Sequence, residues 1–350
     1  MPIPGGVLPG SGSVYNELVA INRRAFQPAC VVQFGKADVA LASALAAAEP
    51  VYGGVSPITV PVQDTEMVSG AWTGYDGSFS APQVIPGLSN AEYNLKAFVV
   101  GIPHYLFEGL VQSGADIIPL AFARMNSAGN YISDQLSTAL WAALSANTSL
   151  MPFSLNDVMA TTDPTQGALG NRAVATYARW AATSYTIAAL GTAGTTWTRV
   201  NALAAVMQAQ AGSGGEPPSC ALVHPGAWMS LASDVIGAEQ YQINSGGHYA
   251  DSAEGVQIGF PAINIGGIPF YADLYATDST GLRMPNWNYL QYKIHADAAF
   301  AIVGPESLLP QFQLGFISAL FVLIELVCSS RRTQSIITGF TGATTITVPA

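Results

Sequence analysis

Ile58-Thr59-Val60-Pro61-Val62, then Trp72-Thr73-Gly74-Tyr75-Asp76-Gly77, then Tyr93-Asn94-Leu95-Lys96-Ala97-Phe98-Val99-Val100: these three stretches decide how the chain is read. The first and third are rich in β-formers, and the third partly alternates polar with apolar residues. The second is a cluster of turn formers. Together they predict a two-stranded excursion over 58–100, outward from Ile58 and back through Val100. The roughly 30 residues between its ends carry too little apolar content for a core, and an isolated two-stranded ribbon is marginal in water. The ribbon must lie on something, and a neighbouring copy of the chain is the natural support.

Upstream, residues 1–50 pose the same problem. A Gly/Pro/Ser start, a short helix near 14–24 and an Ala-rich stretch ended by Glu49-Pro50 read as an arm along its own or a neighbouring subunit. Downstream, 105–113 predicts a short helix closed by Gly114, and Asp116 can cap the next, with Pro119 in its first turn. The clearest helix spans about 131–147, where Ile132, Leu136, Ala139, Leu140, Ala143 and Leu144 form one apolar stripe. Such a rod is about 25 Å long at 1.5 Å per residue. Residues 150–196 offer mainly turn signals, at Asp163-Pro164 and 167–171.

From Thr198 a capped amphipathic helix is expected, with Val200, Leu203, Ala204 and Met207 on its apolar face, ending at Gly212-Ser213-Gly214-Gly215. A strand over 220–224 then runs into a helix over 225–236 that begins on Pro225. The Gly246-Gly247-His248 loop follows, and Gly266-Gly267 marks a turn into the strand Ile268-Pro269-Phe270-Tyr271. Strand-like runs at 290–303 and 312–328 precede a Thr/Ile-rich tail.

Composition narrows the function. Half of the 350 residues are apolar and only 10% are charged, against about 25% in ordinary soluble domains. Apolar content this high excludes disorder. Gly and Pro number 35 and 22, which suits a loop-rich fold. Net charge is −10, and the basic residues include only three lysines, Lys36, Lys96 and Lys293. That balance argues against tight binding of nucleic-acid backbones, which needs clustered Lys and Arg. A surface poor in charge suits a chain that hides itself against its own copies.

Cys30, Cys220 and Cys328 are far apart and read as buried thiols. The start Met1-Pro2-Ile3-Pro4 is no secretory signal, and the faint twin-arginine look of Arg23-Arg24-Ala25-Phe26 is spoiled by Gln33, Lys36 and Asp38. The apolar run 314–328 contains Glu325 and falls short of the roughly 20 residues a bilayer requires. It reads as a buried strand or helix.

Chemical motifs are absent. There is no G-x-S-x-G elbow, no Walker sequence around Gly35-Lys36 and no intact G-x-G-x-x-G. His104, His224, His248 and His295 never approach the spacing that puts two imidazoles on one helix face. His224 reads as a hydrogen-bonding residue at a strand–helix junction, and Asp64 and Glu66 as a solvated face. Glu325, alone in an apolar run, calls for a basic partner such as Arg331 or Arg332. No catalytic, cofactor-binding or metal-binding residue is assigned.

The order of elements, with the stretches Leu222-Val223-His224-Pro225-Gly226-Ala227-Trp228-Met229-Ser230-Leu231 and Ile265-Gly266-Gly267-Ile268-Pro269-Phe270-Tyr271-Ala272-Asp273, resembles the major capsid proteins of tailed bacteriophages, which share the HK97 fold. The resemblance implies an α+β fold with an N-arm (1–57), an extended β-hairpin E-loop (58–100), a peripheral domain (101–170 and 285–350) carrying a long spine helix, and an axial domain (171–284). It implies contacts with neighbouring subunits through the E-loop tip (Trp72, Thr73, Gly74, Tyr75, Asp76, Gly77) and the N-arm (Val14, Tyr15, Leu18, Arg23, Arg24). It further implies spine-helix packing through Ile132, Leu136, Leu140 and Leu144, and a capsomer-centre loop at Gly246, Gly247 and His248.

In such shells hexamers and pentamers of one chain enclose double-stranded DNA without reading its sequence. The partners implied are further copies, a portal and a decoration or cement protein, with no cofactor and no membrane. The location implied is the virion, assembled in the host bacterial cytoplasm. About 50 residues precede the ribbon and Met1 is retained, so a separate scaffolding protein and no maturation cleavage are expected. The ribbon tip carries no Lys, so no covalent cross-linking of subunits is expected. Two other readings stay open: an encapsulin-like nanocompartment shell, and a secreted β-rich carbohydrate-active protein, for which no convergent acids stand out.

Overall fold

The computed structural model describes residues 38–52, 57–63, 75, 77, 87–105, 120–144, 148–190, 194–238, 262–307 and 315–344. Its helices are α1 (Val39–Ala46), α2 (Leu120–Leu140), α3 (Leu155–Met159), α4 (Arg199–Gly212) and α5 (Pro225–Ala238). The strands are β1 (Glu49–Val51), β2 (Ile58–Gln63), β3 (Leu88–Tyr93), β4 (Lys96–Tyr105), β5 (Thr183–Thr186), β6 (Ala221–Val223), β7 (Ala262–Ile265), β8 (Ile268–Ala272), β9 (Leu282–Met284), β10 (Leu290–His295), β11 (Ala301–Ser307), β12 (Gly315–Cys328) and β13 (Ser335–Thr338). The chain divides into two compact units. One comprises Met1–Gly35, Phe98–Gln135 and Asp297–Val322, and the other Lys36–Ala97, Leu136–Ala296 and Leu323–Ala350.

In the first unit β11 runs antiparallel to the start of β12, from Ala301 opposite Phe321 to Ser307 opposite Phe316, and β4 pairs with β12. The register slips between Val303 and Glu306. Gly304 sits there at φ 104°, and a β-carbon on it would stand 2.8 Å from the Ile317 carbonyl oxygen. A glycine is therefore required at this bulge. Ala128 and Ile132 of α2 are buried, Phe98 and Tyr131 bring their rings within 6.1 Å, and Arg124 donates to the Pro103 carbonyl.

The second unit is organised by a six-stranded mixed sheet in the order β5-β13-β9-β6-β8-β7. The inner strands β6, Ala221-Leu222-Val223, and β9 are buried throughout, whereas the outer strands are buried at most on alternate residues. The sheet packs with Ala202, Ala205, Val206 and Ala209 of α4 and Ala227 and Leu231 of α5. Trp197 and Phe340 stack at 4.0 Å in the same core. Gly266 and Gly267, both at positive φ, form the two-residue turn that pairs Ile265 with Ile268, as the Gly-Gly signal predicts. One strand of this sheet, β13, comes from beyond residue 284 and pairs in parallel with β5.

Several expectations need correction. The central helix is α2, which starts eleven residues earlier than 131 and ends at Leu140, so Ala143 and Leu144 lie beyond it. Its end is fixed by a residue distant in sequence: Asn156 Nδ2 donates to the carbonyls of Trp141 and Ala142, at 3.1 and 2.9 Å. The Trp141 carbonyl is one that the helix terminus leaves unmet. The strand returning from the ribbon is β3, not 93–100: Ile58 faces Tyr93 and Gln63 faces Leu88, while 96–105 forms β4 of another sheet. The apolar run 314–328 is a strand, and 290–303 is two strands divided at Ala296–Ala298.

The amphipathic helix from Thr198 forms as expected, capped by Thr198. Its faces are reversed. Val200, Leu203 and Met207 are exposed, by 71%, 39% and 62%, and the buried face is Asn201, Ala202, Ala205, Val206 and Ala209. Both faces carry apolar residues at helical spacing. The smaller ones face inward because the helix lies close to the sheet: a β-carbon on Gly212 would meet Thr183 Cγ2 at 2.5 Å. Asn201 fixes the rotation by donating to the carbonyls of Gly194 and Thr196.

Candidate assembly surfaces

The base of the ribbon is held by its own chain. Tyr93 is buried, donates to the Cys328 carbonyl at 2.8 Å and meets the Phe153 ring edge-on at 6.1 Å. The turn Leu169–Asn171 sits on β3, where Gly170, at φ 63°, leaves no room for a β-carbon beside Ala91. Arg172 donates from Nη1 to Ser89 Oγ at 2.6 Å and lies over the Tyr177 ring at 3.9 Å. The support sought for the ribbon therefore comes, at its base, from within the subunit. Of the expected tip residues, Tyr75 and Gly77 are described. Tyr75 is fully exposed and Gly77 is at φ 73°. Trp72, Thr73, Gly74 and Asp76 lie outside the described residues.

Val14, Tyr15, Leu18, Arg23 and Arg24 also lie outside them, as does the short helix expected near 14–24. The Ala-rich stretch that follows is docked. Asp38 caps α1 by accepting from Leu41 N at 2.7 Å, and Asp273 accepts from Ala40 N at 2.9 Å. Val39, Ala40, Leu41 and Ala44 are buried, and β1 pairs in parallel with β10, where Lys293 meets Glu49. Burial first, and the Asp38 carboxylate second, push the Asp273 carboxyl well above its usual range. Sequence reasoning missed this pair; the Asp38 cap before an apolar run was the available signal.

Ile132, Leu136 and Leu140 of α2 are buried, and Leu144 is half-buried beyond the helix end. Gly246, Gly247 and His248 lie outside the described residues. His224 caps α5, its Nδ1 accepting from Gly226 N at 3.0 Å, which is the junction role read from sequence. Desolvation lowers its pKa.

Glu325 is wholly buried, and neither Arg331 nor Arg332 pairs with it; among the described residues Lys96 supplies the favourable charge, without a hydrogen bond. Its Oε1 accepts from Phe153 N at 2.8 Å and Leu326 N at 3.0 Å, its Oε2 has no partner among the described residues, and burial pushes its pKa up to about 8. Arg331 is spent elsewhere. Its guanidinium donates to the carbonyls of Asp157, Val158, Ala160 and Thr162, closing the end of α3. Cys220 and Cys328 are buried free thiols, each pushed up to about 12 by desolvation.

Among the described residues no group of three or more His, Cys, Asp and Glu is placed to hold a metal, and no helix is long and apolar enough to cross a membrane. What the surface does offer is exposed apolar area in both units. The first exposes Val99, Tyr131, Ile302, Val303 and Phe316, and the second the Val200-Leu203-Met207 stripe. Exposed apolar area of this kind is available for contact with other protein.

No protein-family model and no curated protein matches the chain. Solved structures do. The capsid subunit of cyanophage A-1(L) superposes with a TM-score of 0.61 at 12% identity, over 92% of this chain and 98% of that one. The capsid of an empty GTA particle gives 0.54 at 14% identity, over 97% and 100%. The holo-SrpI encapsulin of Synechococcus elongatus PCC 7942 gives 0.54 at 12% identity, over 94% and 98%. At these identities the likeness is one of fold. The chain has the HK97-type capsid fold.

Proposed function

We propose that the chain is a major capsid protein, the repeating structural subunit of a closed shell, with no catalytic role. The observation that carries this reading is end-to-end likeness: the fold of the cyanophage capsid chain is matched over 92% of this chain and 98% of that one. Apolar stripes left exposed on a folded subunit are what repeated subunit contacts would cover. In this reading the subunits form hexamers and pentamers of an icosahedral head around double-stranded DNA. The net charge of −10 suits a wall that holds DNA without gripping it.

Segment 1–57 is the arm that latches neighbours, and Val14, Tyr15, Leu18, Arg23 and Arg24 are its contacts. Segment 58–100 is the loop laid across a neighbour, touching it through 72–77. Segments 101–170 and 285–350 form the peripheral domain around the helix that carries Ile132, Leu136 and Leu140. Segment 171–284 forms the axial domain, and Gly246, Gly247 and His248 approach the capsomer centre. A separate scaffolding protein, a portal and a decoration protein are the partners, the subunits are not covalently welded, and assembly takes place in the host cytoplasm.

Particle mass and shape test this first, by size-exclusion with light scattering and negative-stain microscopy of the native protein. Megadalton spherical shells support the reading. A 36.4 kDa monomer that stays monomeric with a scaffolding partner overturns it. A second reading, a cellular nanocompartment, draws on the encapsulin likeness. Cargo separates the two, since a phage head holds DNA and a nanocompartment holds protein.

A further inference from the structure

Two carboxyls fasten α1 to the rest of the second unit. Asp273, just after β8 and wholly buried, accepts from Ala40 N through Oδ2 and from Tyr275 N through Oδ1, both at 2.9 Å. Asp38 caps α1 through Oδ1, and its Oδ2 is buried with no donor among the described residues. The two carboxyls lie within hydrogen-bonding reach of one another. Three of their four oxygens are met by main-chain amides, and the fourth is left to the carboxyl–carboxyl contact. Among the described residues the charge that acts on Asp273 is that of Asp38. The other titratable neighbours are weak acids kept neutral by burial. Tyr292 of β10, near Asp38, is raised above its usual range, and Cys220, near Asp273, is pushed up to about 12. Two carboxylates in a buried contact with no counter-charge cannot both stay ionised. A metal is a poor remedy, because the amides leave too few free oxygens for one. A proton needs only the one contact.

We propose that the Asp38–Asp273 pair is a proton latch: one shared proton closes the contact that holds 38–51 on the second unit, and its loss releases that segment. The sign follows from the two states. The docked pair keeps its proton up to about pH 8, whereas an undocked Asp273 releases it near the ordinary 3.8. The latch is therefore at full strength below about pH 4, weakens as pH rises, and holds no proton above about pH 8. The other fastening does not change through the upper part of that range. A hydrogen bond from Lys293 holds the Glu49 carboxyl below its usual value, so this pair stays ionised. The latch does not depend on the shell reading.

The test is hydrogen–deuterium exchange by mass spectrometry on the full chain, in steps from pH 5 to pH 9, with the chemical pH dependence of exchange divided out. Protection of the 39–51 amides is expected to fall at least about tenfold over that range and to level off beyond pH 8. Asp38→Asn keeps the helix cap and lets the side-chain amide donate to an ionised Asp273, so its profile at 39–51 is expected to be flat. Asp273→Asn removes the other charge, and a flat profile is expected there too. Glu325→Gln, which removes a different raised carboxyl, is expected to keep the wild-type slope. A flat wild-type profile, a slope in the Asn variants as steep as the wild type's, or loss of the slope in Glu325→Gln would each overturn the proposal. Exchange of 39–51 only in step with the buried strand 221–223 would do so as well, since the segment would then have no release of its own. Restored protection at pH 9 on adding calcium would also overturn it, by making the pair a cation site.

Discussion

Gly226 and Thr344 are packed so closely that a β-carbon on Gly226 would fall well inside contact distance of the Thr344 carbonyl oxygen. The two backbones also bond, Thr344 N donating to Gly226 O at 3.1 Å, and Ser230 Oγ lies 2.9 Å from the Thr344 amide. Gly226→Ala adds helix propensity at the start of α5, worth at most about 1 kcal/mol. Against this stands a clash with backbone, which cannot rotate away, costing about 1–3 kcal/mol. The clash wins. The variant is expected to unfold at lower urea concentration than the wild type, with faster amide exchange at Thr344. An unchanged urea midpoint would contradict it.

Glu325 makes stability depend on pH. Its carboxyl is raised from 4.5 to about 8 by burial, so the folded state holds a proton that the unfolded chain releases. Its stabilising contribution is full below about pH 4.5 and falls as pH rises towards 8. Asp273, also raised, acts in the same direction. Glu325→Gln keeps the acceptor for Phe153 and Leu326 without the ionisation. The expected outcome is near-equal urea midpoints at pH 5, and a variant more stable than the wild type at pH 9 by a few kcal/mol. Parallel pH profiles for the two proteins would show that Glu325 does not titrate in this range.

Arg331 presents a different case, a buried charge whose Nε and Nη2 donate to four main-chain carbonyls at 2.7–3.1 Å, while its Nη1 has no acceptor among the described residues. A lysine ammonium, a single nitrogen, cannot also replace the bond that Nε gives to the Val158 carbonyl beside those that Nη2 gives to Asp157, Ala160 and Thr162. Methionine leaves these carbonyls unmet altogether. Arg331→Met is expected to cost about 3–5 kcal/mol, and Arg331→Lys less, read as losses in urea midpoint. Equal midpoints for all three proteins would mean that water replaces the guanidinium freely.

What was legible in the sequence was local. The Gly266-Gly267 turn, the Thr198 cap and the His224 junction depend on neighbours within a few residues, and the structure forms all three. What was not legible depended on distant groups. Asn156 ends α2 from beyond the helix, so the apolar stripe that ran on to Leu144 gave the wrong end point. Glu325 is met by the amides of Phe153 and Leu326, which a search for a basic side chain could not find. Period 3.6 identified α4 as a helix but could not choose between its two apolar faces; Asn201 and the close approach at Gly212 made that choice.

The reversed face of α4 leads to a prediction about assembly. Val200 and Met207 are mostly exposed in the subunit, so replacing both with Gln should leave subunit stability within about 0.5 kcal/mol. If other copies cover that stripe in a shell, the same change removes apolar area from every repeated contact, and a contact repeated around a ring multiplies a small loss. The double variant is expected to fold normally by circular dichroism and urea melt yet give fewer closed particles by light scattering. Val206, next to Met207 but buried, is the contrast: Val206→Gln should lower the urea midpoint itself. Undiminished particles from the double variant would place the subunit contacts elsewhere.

The ribbon yields the sharpest separation of folding from assembly. Its base is fixed inside the subunit by Tyr93, Arg172 and the turn at Gly170, whereas Tyr75 near its tip is fully exposed and Gly77 has no atom within 4 Å of a β-carbon position. Tyr75 and Gly77, the two described residues of 70–80, support no part of the core, and a shortened loop costs little in closure entropy. Deletion of residues 70–80 is expected to keep the wild-type urea midpoint while losing closed shells, leaving monomers or loose capsomers on size-exclusion. Arg172→Ala should do the reverse: it strikes the base, loosens β3 and lowers the urea midpoint by about 1–3 kcal/mol, while an intact tip still reaches any neighbour. If the deletion closes shells as readily as the full chain, the tip makes no necessary contact, and the apolar surfaces of the two units must hold the shell alone.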